Sequence, residues 1–334
     1  MTGPAVRTAG LRKSYGSAAA LDGLDLAVAR GEVFGFLGPN GAGKSTTIRL
    51  LMDLLRPTSG VVEVLGCVPA DGGPALRARI GYLPGELALT GTATARRLLE
   101  HLARLRGGRG ADRIAPLAER LGLDLDRPVR ALSKGNKQKV GLVQAFAPEP
   151  ELLVLDEPTS GLDPLLQHEF AGMVRAARDR GATVFLSSHV LDEVQDVADR
   201  VAVVRAGRVV DVDDVRALRH RAGQLVELRF AEPVDIAAFA RLPGVSQVAA
   251  TPTVGGVATV GGVATAPSVG GVAAGPSVGG VAAGPTGLTC LLHGEPDELL
   301  KLAAHHHVVG WSARDRELED LFLDFYRKGA GDDR

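Results

Sequence analysis

Val33–Leu37 is a short unbroken apolar run, a glycine-rich stretch follows it, and from Lys44 to Leu55 apolar residues recur at helical spacing. A buried strand, a loop and an amphipathic helix in that order predict the first unit of a parallel α/β sheet. Residues 94–147 follow another rhythm. Leucines at 98, 99, 102 and 105, then at 117 and 121, keep helical spacing with no strand between them, which predicts a helical subdomain inserted at about residues 90–147. The strand pattern returns in ELLVLDE from Glu151, followed by a helix over 165–178, a strand over Thr183–Ser187 and another near Val201–Val204. The first domain is expected to span residues 1–220.

Residues 221–330 read as a second, smaller α+β domain: strand 225–230, helix 234–241, strand 245–250, strand 288–293, helix 296–304, strand 307–312 and helix 315–327. That order is the split βαβ, ferredoxin-like arrangement. Between its middle strands, residues 252–286 form a low-complexity insertion whose last two copies, PSVGGVAAG, are identical. Ordering so much glycine and proline would lose backbone entropy with little side-chain burial to offset it, so a flexible surface loop is expected. Leu318, Leu321, Phe322 and Phe325 fall on one helical face and are expected to pack on the domain's own sheet.

Composition narrows the partners. The chain has 334 residues, 45% of them apolar, with 38 basic against 39 acidic side chains. That length can bury two cores, and that balance supplies no broad positive field for nucleic acid. Cys67 and Cys290 are too few for a disulfide framework and point to a reducing, cytoplasmic compartment. The amino terminus lacks the apolar core of a secretion signal, and no apolar 20-mer is present to span a bilayer. His305, His306 and His307 are consecutive, so they point to different sides of one element and make a poor metal site.

The loop after Leu37 carries the first chemistry. Gly38, Pro39, Asn40, Gly41, Ala42, Gly43, Lys44, Ser45 and Thr46 read GPNGAGKST, the phosphate-loop pattern, placed between a strand and a helix as that pattern requires. Glycines let backbone N–H groups curl toward phosphate oxygens, and the helix behind adds the positive end of its dipole. Lys44 would bridge the outer phosphates, and the Ser45 hydroxyl would bind Mg2+. The strand Leu152–Asp156 delivers two carboxylates at its carboxyl end, where open α/β sheets bind ligands. Asp156 is placed to hold Mg2+, and Glu157 to accept a proton from, or orient, the water that attacks the γ-phosphate.

Three further segments, LSKGNKQK at Leu132–Lys139, PTSGLD at Pro158–Asp163 and His189 after TVFLSS, make residues 5 to about 215 resemble an ATP-binding-cassette (ABC) ATPase. The resemblance implies a P-loop NTPase core with a parallel sheet, an antiparallel β subdomain and the helical insertion, using ATP and Mg2+. It implies a homodimer in which Ser133 and Gly135 of one subunit close over the ATP held by the other. Ser133 opens an apparent helix over Lys134–Phe146 whose free N–H groups suit a γ-phosphate, although a serine there also serves as a plain N-cap.

By the same resemblance Tyr15, in KSYG before the first strand pair, stacks on adenine, His189 contacts the γ-phosphate, and Asp163 communicates across the dimer. Two departures stand out: Gly85 and Glu86 occupy the place of a family glutamine, with Glu86 as a substitute, and Lys134 and Asn136 replace the usual signature glycine and glutamine. The implied partner is a separate integral membrane permease, with the chain peripheral to the inner face of the membrane, and the carboxyl-terminal domain resembles that of drug and antibiotic exporters. The rival readings are a soluble cassette ATPase acting on nucleic acid or ribosomes, and a regulatory module that holds ATP without hydrolysing it.

Overall fold

The computed structural model describes residues 3–190, 192–215, 217, 223–251 and 286–315. The chain divides into two units, Met1–Leu218 and Arg219–Arg334. In the first unit an antiparallel sheet joins β1 (Val6–Tyr15), β2 (Ala18–Val28) and β4 (Ser59–Val64) in the order β2-β1-β4. Tyr15 therefore ends β1, paired with Ala18 across a tight turn, instead of preceding the strand pair.

The second sheet has six strands, β3 (Val33–Leu37), β5 (Ile80–Leu83), β6 (Leu152–Asp156), β7 (Thr183–Ser188), β8 (Arg200–Arg205) and β9 (Arg208–Asp214), in the order β5-β6-β7-β3-β8-β9. All neighbours run parallel except β8 and β9, so the sheet is mixed. Every residue of β3, β6 and β7 is buried, which is why the centres of these strands read as apolar runs: a parallel sheet is covered on both faces. Phe185 stacks with Phe34 at 6.1 Å and tilts against Phe36 at 5.2 Å, giving the centre an aromatic core. The parallel register sets Leu37 beside Ser188 and Asp156 beside Ser187, so the carboxyl ends of β3, β6 and β7 finish level at one edge.

The helices of this unit are α1 (Lys44–Leu51), α2 (Pro69–Arg77), α3 (Ala95–Leu105), α4 (Ile114–Arg120), α5 (Lys134–Phe146), α6 (Pro164–Asp179) and α7 (Asp192–Gln195). Helix α1 stops four residues before the expected end, because Asp53 turns the chain with φ 59°. Helices α3, α4 and α5 follow one another without a strand and form the helical insertion. Gly141 lets α5 sit directly on the sheet, since a Cβ there would lie 2.4 Å from Leu83 Cδ1 of β5.

The second unit is a four-stranded antiparallel sheet of β10 (Gln224–Phe230), β11 (Val245–Thr251), β12 (Gly287–Leu292) and β13 (Val308–Asp315), ordered β11-β12-β10-β13, with α8 (Ile236–Ala240) and α9 (Asp297–Ala304). Val226, Leu228, Phe230, Phe239, Leu288 and Leu299 form its core. Strand β13 continues to Asp315, which pairs with Gln224, so the helix expected from residue 315 cannot begin there. The rest of that segment, with Leu318, Leu321, Phe322 and Phe325, lies outside the described residues, as does the low-complexity stretch 252–285. The histidine run is divided: the His306 ring packs edge-on to Phe230 at 5.7 Å, while His305 and His307 are exposed. Among the described residues no helix is long and apolar enough to cross a membrane.

Candidate active site

The loop from Gly38 to Gly43 is shaped by what its glycines leave out. A Cβ on Gly38 would lie 2.4 Å from the Val204 carbonyl oxygen, and Gly38 N–H donates to Ser188 O at 3.3 Å, tying the loop to the end of β7. Gly41 and Gly43 take φ 82° and 107°, a region L side chains rarely enter. Gly43 is also the N-cap of α1, and a Cβ there would stand 2.6 Å from Leu21 Cδ2 and 2.8 Å from Ala20 O. Pro39, Asn40 and Gly41 are exposed, Ala42 is buried, and Ser45 and Thr46 are half-buried on the first turn of α1.

Gly43→Ala is therefore expected to destabilise the chain by more than about 1 kcal/mol. That should lower the thermal midpoint by about 2–4 °C for each kcal/mol lost, and the loop should also lose ATP affinity. Thermal unfolding with and without nucleotide measures both; an unchanged midpoint and affinity would contradict this picture of the loop.

Lys44 is only 6% exposed and spans the loop from within, its ammonium donating to Gly38 O at 2.6 Å and Pro39 O at 3.3 Å. It also lies 3.3 Å from Glu157 Oε1. The other oxygen of that carboxylate is 2.8 Å from His189 Nδ1. One carboxylate thus joins the phosphate-loop lysine to the histidine after β7, and the three residues, scattered over 146 positions of sequence, form a single cluster.

Glu157 itself adopts φ 49°. For a residue with a side chain the left-handed region costs roughly 1–2 kcal/mol, and such strain persists where neighbours over-determine it. Here its N–H donates to Ser187 O and Ser187 Oγ, both at 3.2 Å, and its carbonyl accepts from Gln138 Nε2 at 3.3 Å.

Asp156 is buried, and its Oδ1 accepts from Ser187 Oγ at 2.6 Å. Its Oδ2 faces Gly85, where a Cβ would lie 3.2 Å away; Glu86, the candidate for the family's glutamine, is exposed. Burial and then the Asp156 charge push the nearby Tyr82 phenol up. A carboxylate and a hydroxyl, Asp156 and Ser45, are the hard oxygen donors that suit Mg2+. Among the described residues no three of His, Cys, Asp or Glu converge to hold a metal.

The remaining candidates stand outside this cluster. Exposed Ser133 caps α5, its Oγ accepting from Asn136 N at 3.3 Å, and Gly135 lies against the Gly161 carbonyl, 2.8 Å from where a Cβ would be. Lys134 reaches Ser160 Oγ at 3.3 Å, so the start of α5 rests on the chain's own PTSGLD turn. Asp163 caps α6 by accepting from Leu166 N at 3.0 Å. Tyr15 is 48% exposed, with the Lys13 ammonium 5.2 Å from its ring centroid.

Three supporting residues were not foreseen. Gln138 and Ser187 bond to the backbone and carboxylate at the end of β6, and Glu193 Oε2 accepts from Thr159 at 2.5 Å and from Ser188 at 2.9 Å, bracing the turn after β6 to the end of β7. Their signals were a polar residue among buried positions of a helix and serines ending an apolar strand.

Comparison with known proteins places the chain among relatives of one kind. A family model described as ABC transporter matches residues 21–160. The chain is 39% identical to the daunorubicin/doxorubicin resistance ATP-binding protein DrrA of Streptomyces peucetius, covering 71% of this chain and 74% of that one. It is 35% identical to the bacitracin transport ATP-binding protein BcrA of Bacillus licheniformis, over 68% and 75% of the two chains. A solved ATP-binding subunit of an ABC transporter superposes with a TM-score of 0.61 at 32% identity, covering 65% of this chain and 92% of that one.

Proposed function

We propose that this chain, which belongs to the ABC transporter family of ATP-binding proteins, hydrolyses ATP at composite sites of a homodimer to drive a separate membrane permease. The observation that carries this reading is the Glu157 carboxylate held between Lys44 and His189 at the mouth of the phosphate loop. A nucleotide-holding module needs the loop alone; the paired carboxylate and histidine are the equipment of hydrolysis.

In this reading the N–H groups of residues 38–46 and the start of α1 bind the phosphates, and Lys44 moves from its own loop carbonyls to the outer phosphate oxygens. Ser45 and Asp156 would hold Mg2+, which would supply charge neutralisation on the phosphates. Glu157 takes the proton of the attacking water, and His189 fixes the γ-phosphate and that water. Tyr15 stacks on adenine. Ser133 and Gly135 from the partner copy, at the open end of α5, cover the γ-phosphate, and Asp163 sits at the seam between copies.

The cassette comprises residues 1–220 with its helical insertion at 90–147, and residues 221–330 form a ferredoxin-like accessory domain carrying the insertion 252–286. The strand order β11-β12-β10-β13, with one helix in each half, supports that second assignment. The names of the DrrA and BcrA relatives support drugs or antibiotics as cargo, with export as the direction and the inner face of the cell membrane as the place of work.

Purified full-length protein should release inorganic phosphate from ATP in the presence of Mg2+, with the rate rising faster than linearly in protein concentration because two copies build each site. Excess EDTA should abolish it. A protein that binds ATP with Mg2+ but releases no phosphate at any concentration would overturn the proposal.

A further inference from the structure

Glu157 is the strained residue of the site, and its backbone is held from two sides by different parts of the chain. Ser187 of β7 fixes the N–H. Gln138, about one turn into α5, fixes the other side: its amide nitrogen donates to Glu157 O at 3.3 Å and to Pro158 O at 2.9 Å. Gln138 is 5% exposed, and its NH2 group reaches both of these carbonyls. No other side chain of the helical insertion is seen to hydrogen-bond to this peptide.

We propose that Gln138 is a positioning residue for hydrolysis: it holds the peptide after Glu157 so that the carboxylate stays poised between Lys44 and His189. The inference rests on Glu157 being the base. It makes Gln138 the link between the helical insertion and the reacting water, because α5 cannot shift without pulling on the backbone that aims Glu157. A displacement of about 1 Å at such a position is enough to cost roughly 100-fold in rate.

Two variants of near-native size remove the donor, Gln138→Met and Gln138→Glu. In the full-length protein each is expected to lower kcat for ATP about 10- to 100-fold, while KM and the affinity for a fluorescent ATP analogue stay within about twofold. The discriminating measurement is a double-variant cycle read by single-turnover hydrolysis. In a Glu157→Gln background, Gln138→Met should have no further effect on the residual rate, because its action passes through the carboxylate already removed.

Wild-type kcat in both single variants would overturn the proposal. So would an equal fractional loss in the two backgrounds, or a loss of nucleotide affinity or folding in both variants, since each assigns Gln138 to general architecture. If Glu157→Gln alone hydrolyses ATP at the parent rate, the base assignment itself fails, which is a separate and recognisable result.

Discussion

Glu157→Gln should cut ATP turnover by roughly 10²–10⁴-fold, the usual range for losing a general base, while ATP still binds. The amide is the same size as the carboxylate and can still meet His189, so the local packing survives. It cannot take a proton from water. A loss of that size corresponds to about 2.7–5.4 kcal/mol of barrier. Nucleotide affinity should hold or rise, for a reason visible in the structure: Glu157 is 3.3 Å from a Lys44 that is almost wholly buried, and it competes with phosphate for that ammonium. An uncharged neighbour leaves Lys44 freer to meet the phosphates. Steady-state phosphate release and ATP-analogue titration on the same preparation read both halves. Turnover at the parent rate would remove Glu157 from the mechanism.

How much of this site could be read from the sequence follows from how local each part is. The phosphate loop was legible because its glycines answer to backbone geometry within six residues, and the structure explains two of them by positive φ and one by a carbonyl 2.4 Å from its absent Cβ. The carboxylates ending β6 were legible because an apolar run that stops at two acids has one plausible polarity. The meeting of Glu157 with Lys44 and His189 was not, since it depends on the register of three strands that are distant in sequence.

Gln138 and Ser187 were missed for a different reason: they are neutral, and the carbonyls and carboxylate they bond to lie 19 to 31 residues away in sequence, so the spacing that pairs them exists only in the fold. Strand β1 hid from alternation because its pairing with β2 shifts register between Thr8 and Leu11, between Leu11 and Arg12 and again after Lys13, and a one-residue shift inverts the in-out pattern. In the second unit the described strands and helices came within a residue or two of expectation, apart from the strand that runs on to Asp315, and the rest of the final helix expected over 315–327 lies outside the described residues.

Ser133→Glu tests whether the reaction centre is shared. Within one chain Ser133 does a modest job, capping α5 through a 3.3 Å bond at an exposed position. Losing such a cap costs about 1 kcal/mol, and a carboxylate near the positive end of the helix dipole offsets part of it. The isolated chain should therefore fold normally and bind ATP at its phosphate loop with unchanged affinity. Closed over a partner's nucleotide, the same carboxylate would face a γ-phosphate. Like charges about 4 Å apart at an effective dielectric constant near 20 repel by about 4 kcal/mol, roughly three decades in the association constant.

ATP-dependent dimerisation, measured by light scattering in a Glu157→Gln background that traps the closed form, should disappear, and in the otherwise native chain hydrolysis should fall at least about 100-fold. Ser133→Ala supplies the comparison, since it deletes the cap without adding charge and should dimerise far better than Ser133→Glu. If the glutamate variant dimerised with ATP and hydrolysed it like the parent, each chain would have to complete its own site, and the start of α5 would be a helix cap and nothing more.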